Sequence, residues 1–190
     1  MSTKTVRLVL PARDFRSLSR VTPGDTVLLS GELYVFRDQA HRRIAAGTLG
    51  ELAGRDLRGA GVYYCAPTPP KVGLPVGSCG PTSSYRMDGL TEPVLALGFR
   101  VMVGKGHRAD VVRALCRKYR AVYLITWGGC GALLAEHVRA ARTVAFRDLG
   151  TEAVSVFTVE DFPAVVGVDV RGGTLAVCRT TAPGGRSDEP

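Results

Sequence analysis

The densest group of residues that could do chemistry is the segment GSCGPTSSYRMD at positions 77–88. Its glycines let backbone amides approach a ligand closely, its hydroxyl groups can donate or accept protons, and Arg86 can hold a carboxylate through two parallel hydrogen bonds. The segment therefore has the composition of an anion cradle. A purely structural alternative fits the local pattern equally well: Thr82 or Ser84 caps a helix, and Arg86 pairs with Asp88 at the surface.

A second group is the run RDQAH at positions 37–41, where a predicted strand gives way to a predicted helix. If the helix begins near Asp38, the side chains of Arg37 and His41 lie one turn apart on a shared face. The positive end of the helix would add to their attraction for an anion. The alternative is that Asp38 is an N-cap and His41 is incidental.

Two glycine-containing turns could also bind an anion. The run GKGHR at 104–108 lacks the spacing of a nucleotide P-loop, so it is either a phosphate contact or a turn with solvated charges. The glycines at 128–131 either present amides to an anion at a helix start or allow close backbone packing.

The elements that must position these groups follow from apolar periodicity. The predicted strands are Thr5–Leu10, 26–30, 33–36, 61–65, 100–103, 121–126, 143–146, 154–159 and 165–170. The predicted helices are 38–49, 91–98, 109–119 and a segment from 131 to about 140. Five prolines and three glycines make 66–81 a long loop, and such loops are usually functional or disordered. Interleaved strands and helices predict an α/β fold.

The bulk composition predicts one globular domain at 1–181, followed by a polar, disordered tail at 182–190. The chain has 190 residues, of which 45% are hydrophobic and 22% charged. No apolar run approaches the about 20 residues that span a bilayer, and no signal-peptide core follows the N-terminus. We therefore expect a cytoplasmic protein without a membrane partner.

The cysteines do not form a recognisable framework. There are five, an odd number, and none is arranged as CxxC. This pattern suggests neither a set of disulfides nor a zinc site, and it fits a reducing compartment. We expect no metal ligands in this chain.

The net charge is +8, and arginine supplies most of it, with 21 Arg against four Lys. Because the guanidinium fork matches carboxylates and phosphates, an anionic ligand is the natural hypothesis. Solvated surface charge is the alternative for most of these arginines. Only 7% of residues are aromatic and no basic stripe is interleaved with them, which argues against nucleic-acid binding.

Several motifs together resemble one family. The segment at 77–88 is similar to the GS-x-GPTTS-x-RMD signature of class I (iron–sulfur) fumarases and L(+)-tartrate dehydratases. RDQAH resembles the family's RD-x-AH, MVGKG at 102–106 its M-[IV]-GKG, and DLGTEA at 148–153 a further shared run. The resemblance runs from about residue 30 to 169. The sequence departs from the pattern at Ala66, Val72 and Ser83, and Ser83 keeps the hydroxyl of the usual threonine.

This resemblance implies an α/β fold, the swivelling β/β/α domain of the fumarase C-terminal type. In many prokaryotes that domain is a separate beta subunit. Three cysteines of an alpha subunit hold a [4Fe-4S] cluster, whose open iron acts as a Lewis acid. The resemblance therefore implies a beta subunit that is active only with its alpha partner, in a homodimer or heterotetramer, with Cys65 and Cys79 as bystanders.

The implied reaction is the reversible hydration of fumarate to (S)-malate. By motif position, Thr82 resembles the general base and needs an activating carboxylate, plausibly from the alpha subunit. Arg37, Arg86 and Lys105 resemble the residues that bind the dicarboxylate. The implied supporting residues are Asp38 and His41, which orient Arg37, together with Ser83, Gly80 and Asp88.

Two other functions stay open. An L(+)-tartrate dehydratase beta subunit carries the same motifs, because its substrate is a similar dicarboxylate. A non-catalytic anion- or nucleic-acid-binding protein is the alternative of a different class, since the sequence pI is near 9.6. A steep salt dependence of binding to random RNA or DNA would favour that alternative.

Overall fold

The computed structural model describes residues 3–175, so the predicted tail at 182–190 and Cys178 lie outside the described residues. Within this range the strands are β1 (Thr5–Leu10), β2 (Thr26–Val35), β3 (Gly61–Tyr63), β4 (Val101–Gly104), β5 (Val122–Ile125), β6 (Val138–Ala145) and β7 (Val154–Val168). The α-helices are α1 (Phe15–Ser19), α2 (Asp38–Ala45), α3 (Thr91–Ala96), α4 (Asp110–Tyr119) and α5 (Gly131–Ala135). Short 3-10 helices cover Gly50–Leu52, Ser84–Leu90 and Arg147–Glu152.

The described strands form one seven-stranded sheet that closes into a small barrel-like arrangement. Strand β2 pairs in parallel with β1 along its first half and with β3 along its second half. Strands β3, β4 and β5 continue in parallel order. The long strand β7 runs antiparallel to both β5 and β2, which closes the ring, and β6 pairs with its first half.

Two apolar clusters cover the two faces of the central strands. In β5, Val122 and Leu124 pack in one cluster with Val101 of β4, whereas Tyr123 points to the other. The second cluster is covered by helices α2, α3 and α4 through side chains such as Ile44. Because both faces are buried, the central parallel strands β3, β4 and β5 are apolar along their whole length. The predicted α/β fold class is therefore confirmed.

Three predictions of where one element gives way to the next were wrong, and the helix predicted at 38–49 ends at Ala45. Segments 26–30 and 33–36 form a single strand, β2, with an irregularity at Gly31. Gly31 has a φ of +111°, and a Cβ there would collide with the carbonyl oxygen of Leu10. Segments 154–159 and 165–170 likewise join in β7, which continues through Asp161 at a φ of +48°.

The third error concerns the segment after the glycine cluster. The predicted helix to about residue 140 ends at Ala135, and β6 begins at Val138. Pairing with β7 explains the strand, and across this pair Arg139 forms an ion pair with Glu160. Tertiary context thus overrides a sequence of good helix formers.

Strands β2, β3, β4 and β5 place their carboxyl ends at one end of the barrel. Arg37 follows β2, Lys105 follows β4, and the glycines at 128–131 follow β5. The loop after β3 carries the 77–88 segment to the same end. In α/β sheets, ligands bind outside the carboxyl ends of the strands. No helix in residues 3–175 is both long and apolar enough to cross a bilayer.

Candidate functional site

Asp38 links the two arginines that the sequence motifs single out. It is the first residue of α2, and its Oδ1 accepts an ion-paired contact from Nη2 of Arg86 at 3.0 Å. Its Oδ2 lies 3.9 Å from Nε of Arg37. The carboxylate therefore brings together guanidinium groups from the start of α2 and from the 3-10 helix Ser84–Leu90.

Arg37 is held from a second side by Glu152. Nη2 of Arg37 donates to Oε1 of Glu152 at 2.7 Å, and the backbone N–H of Gln39 donates to Oε2 at 3.1 Å. The side chain of Arg37 is 27% exposed and that of Glu152 18%. Sequence reasoning assigned no role to Glu152, although it lies in the shared run DLGTEA.

Thr82 lies beside Arg86 in the same cluster. Its backbone N–H donates to the carbonyl of Tyr64 at 2.8 Å, which fixes the segment to the end of β3. Nη1 of Arg86 donates to Oγ1 of Thr82 at 3.5 Å, a long hydrogen bond. Thr82, Arg86, Asp38 and Arg37 thus form one contiguous set.

Lys105 is joined to this segment through its backbone. Ser83 and Lys105 form a parallel bridge, and the N–H of Ser84 donates to the carbonyl of Lys105 at 3.0 Å. The N–H of Lys105 donates in turn to Oγ of Ser84 at 3.0 Å. The Lys105 side chain passes Gly128, where a Cβ would stand 3.5 Å from Nζ.

The capping alternative for the 77–88 segment was wrong. The 3-10 helix begins at Ser84, after Ser83, whose side chain makes no capping hydrogen bond. Asp88 pairs with Arg108 rather than with Arg86, and its second oxygen accepts from the N–H of Ala109 at 2.8 Å.

Arg108 is a second residue whose role the sequence did not reveal. Its side chain is 0% exposed, and Nη2 donates to Oγ1 of Thr91 at 2.7 Å. The guanidinium lies between the rings of Tyr64 and Tyr123, 5.4 and 5.0 Å from their centroids. The expectation of a solvated charge was therefore wrong at this position. Burial alone lowers the pKa of Arg108, but Tyr64, Asp88 and Tyr123 raise it above its ordinary value, so Arg108 stays charged.

His41 is fully buried, and its ring forms no hydrogen bond with the guanidinium group of Arg37 or Arg86. The ring packs against Phe36 and Tyr64, and Nδ1–H donates to the carbonyl oxygen of Arg37 at 2.9 Å. Burial lowers the pKa of His41 to about 4, with the charge of Arg108 acting in the same direction. His41 is thus a neutral imidazole that contacts the backbone of Arg37, not its guanidinium.

The glycine cluster is explained by close packing. The N–H of Cys79 donates to the carbonyl of Gly131 at 3.0 Å, and a Cβ on Gly131 would lie only 2.6 Å from the nitrogen of Gly80. Gly131 begins a helix of five residues. Of the two interpretations of the turn at 128–131, the structural one accounts for these contacts, and Gly80 is part of the same packing.

The protein is thus an α/β domain with three basic side chains, Arg37, Arg86 and Lys105, at the carboxyl ends of its parallel strands. This is the end of the sheet where α/β domains bind their ligands. A model of the family described as Fumarase C-terminus matches residues 1–176, and the chain belongs to this family.

Three relatives indicate the range of the family. Fumarate hydratase 2 of Leishmania major is 35% identical over 163 residues, which cover 84% of this chain and 29% of that protein. The anaerobic class I fumarate hydratase of Escherichia coli K12 is 36% identical, with 82% and 29% covered. The L(+)-tartrate dehydratase subunit beta of the same strain is 32% identical, with 83% and 80% covered. The chain therefore spans less than a third of the fumarate hydratases, and the family contains hydro-lyases.

Class I fumarate hydratases are iron–sulfur enzymes, but the described residues do not fit a cluster. Cys65, Cys79 and Cys116 are buried. Burial raises the pKa of all three thiols, to about 12 for Cys79 and Cys116. Cluster ligands are thiolates, which such surroundings disfavour. Residues 3–175 also contain no group of three His, Cys, Asp or Glu side chains arranged to hold a metal.

Proposed function

We propose that this chain is the beta subunit of a class I fumarate hydratase, which hydrates fumarate reversibly to (S)-malate. The observation that carries the proposal is the carboxylate of Asp38 between Arg37 and Arg86. Because one carboxylate contacts both guanidinium groups, we infer that they lie close enough together to bind one small dicarboxylate. Membership of the Fumarase C-terminus family supports the same reaction class.

The chemistry explains why arginines are needed. Removing water from malate requires loss of a carbon-bound proton, and negative charge then develops onto the adjacent carboxylate. Guanidinium groups fixed beforehand stabilise that charge without reorganising. In the proposal, Arg37 and Arg86 bind the two carboxylates of the substrate, and Lys105 is a further positively charged contact for the anion.

Thr82 is the proposed general base. A threonine hydroxyl is too weak an acid to act without help, although the nearby guanidinium of Arg86 favours its deprotonated form. Within residues 3–175 no carboxylate forms a hydrogen bond with Oγ1 of Thr82. The activating carboxylate is therefore assigned to an alpha subunit.

The same alpha subunit is proposed to hold the [4Fe-4S] cluster, since burial raises the pKa of Cys65, Cys79 and Cys116 and disfavours the thiolates that a cluster needs. The proposed partner is this alpha subunit, in a homodimer or heterotetramer located in the cytoplasm. The mass of the assembly, measured by light scattering after co-purification, tests the subunit ratio.

An L(+)-tartrate dehydratase is the second candidate, because the chain covers 80% of the length of such a beta subunit. Co-expression with a candidate alpha subunit under anaerobic conditions separates the two. Loss of fumarate absorbance without turnover of tartrate supports the proposal. Turnover of tartrate alone would replace it with the second candidate, and turnover by this chain without the alpha subunit would refute the shared site.

A further inference from the structure

A second group of arginines lies at the opposite end of the barrel. Arg13 follows β1, Arg58 precedes β3, and Arg100 precedes β4. Together with Phe15 and Gly59 they line a cavity of about 370 Å³. Because β3 and β4 are parallel, this cavity lies at their amino ends, away from Lys105.

The charges around this cavity are unbalanced. Asp56 pairs with both neighbours, at 3.0 Å from Nη2 of Arg13 and 2.9 Å from Nε of Arg58. Arg100 has no carboxylate partner among residues 3–175. Three positive charges therefore share one negative charge. Such an excess attracts an anion, and arginine binds oxyanions particularly well.

The hydrogen bonds of Arg100 are a second observation that favours an anion-binding site. Its Nη1 donates to the carbonyls of Leu95 at 2.8 Å and of Phe99 at 2.7 Å, but its Nε is buried without a hydrogen-bond partner in the described residues. The guanidinium also lies 5.9 Å from the ring centroid of Phe15 and 5.8 Å from that of Tyr119. Buried donors are rarely left unpaired unless a water or ion completes them.

The geometry points to an oxyanion-binding site formed by Arg13, Arg58 and Arg100, for the phosphate or carboxylate group of a small molecule. The cavity is larger than a single ion requires, and Phe15, which is 40% exposed, gives it one apolar wall. This site is independent of the proposed function, since Arg37, Arg86 and Thr82 do not line it.

Calorimetric titration of the full chain at low ionic strength tests the inference, with inorganic phosphate and malonate as separate probes. We expect saturable binding of at least one probe, and the preferred probe distinguishes phosphate from carboxylate chemistry. The double variant Arg13→Gln/Arg58→Gln should weaken that binding at least about fivefold. Both side chains are largely exposed, at 60% and 80%, so the variant should remain folded.

Two further variants keep the test specific. Asp56→Asn removes the competing carboxylate and should tighten binding roughly threefold, an effect that loss of structure would not produce. Arg139→Gln/Arg142→Gln removes two paired surface arginines and should leave binding unchanged. Equal weakening by this control, binding abolished by Arg86→Gln, or no saturable binding would each overturn the site.

Discussion

Asp38 and Arg86 are joined by an ion pair of 3.0 Å that connects the first residue of α2 to the 3-10 helix after the proline-rich loop. The other carboxylate oxygen faces Nε of Arg37 at 3.9 Å, and both of these atoms are buried without a hydrogen bond to the described residues. One carboxylate thus holds two guanidinium groups in place before any substrate binds. Such preorganisation reduces the entropy lost in binding.

Asp38→Asn should lower kcat/KM of the assembled enzyme about tenfold, because Arg86 loses the charge that orients its fork. Steady-state assays with fumarate measure the change. Asp148→Asn is the matched control, since the exposed Asp148 pairs with Arg43 of the same helix. A kcat/KM within about twofold of the wild type would contradict an orienting role for Asp38.

The buried pair of Arg108 and Asp88 should stabilise the fold by strong coupling. Arg108→Met should lower the free energy of unfolding by about 3–5 kcal/mol, because it leaves the charge of Asp88 without its cationic partner. A double-mutant cycle with Asp88→Asn, measured by urea denaturation, should give a coupling of about 2 kcal/mol.

The exposed pair of Arg142 and Glu32 is the control for that cycle, and its coupling should stay below about 1 kcal/mol. If Arg108→Met does not fold, Thr91→Val removes only one acceptor of Arg108 and keeps the cycle measurable. Equal coupling for the two pairs would contradict the structural role of Arg108.

His41 should make the fold less stable in mild acid. Its folded pKa of about 4 lies below the ordinary 6.5, so the unfolded chain binds a proton in this interval that the folded chain does not. Lowering the pH from 7 to 5 should therefore cost about 2 kcal/mol of unfolding free energy through His41.

His41→Phe should remove this part of the pH dependence. The variant would then lose less stability than the wild type between pH 7 and 5, as followed by urea denaturation at each pH. Parallel profiles for the two proteins would show that His41 is not buried in its neutral form.

The sequence predicted those features that depend on local pattern. Strand β1 and helix α4 were predicted almost to the residue, because alternation and helical periodicity are visible within each segment. The second half of β6 was predicted as the strand at 143–146, but its first residues were predicted as the end of a helix, since their strand state depends on pairing with β7.

In the candidate site, too, the sequence revealed the residues in local motifs but not the contacts that depend on the tertiary fold. Arg37, Arg86, Thr82 and Lys105 could be singled out from motifs, but the ion pair between Asp38 and Arg86 depends on the tertiary fold. Arg108 resembled a solvated turn residue, because nothing in the run GKGHR signals that Tyr64 and Tyr123 enclose its side chain.

The buried cysteines should be unreactive in the folded chain. With a pKa of about 12, the thiols of Cys79 and Cys116 are thiolate in only about one molecule in ten thousand at pH 8. Alkylation followed by peptide mass spectrometry should modify the half-buried Cys130 before Cys65, Cys79 and Cys116, which should react only in urea. Rapid labelling of Cys79 or Cys116 in the folded protein would contradict the assignment of the cluster to another subunit.

The central claim is that Arg86 binds a substrate carboxylate. Its side chain is 43% exposed and its partners, Asp38 and Thr82, are polar, so Arg86→Gln should leave the fold intact. Arg142→Gln, a change of the same kind on a half-exposed surface arginine, serves as the matched control.

The most direct measurement is kcat/KM for fumarate in the anaerobically assembled enzyme carrying Arg86→Gln. Loss of two charge-assisted hydrogen bonds should reduce it at least about a hundredfold, while Arg142→Gln keeps wild-type activity. Activity of Arg86→Gln within about threefold of the wild type would contradict the claim.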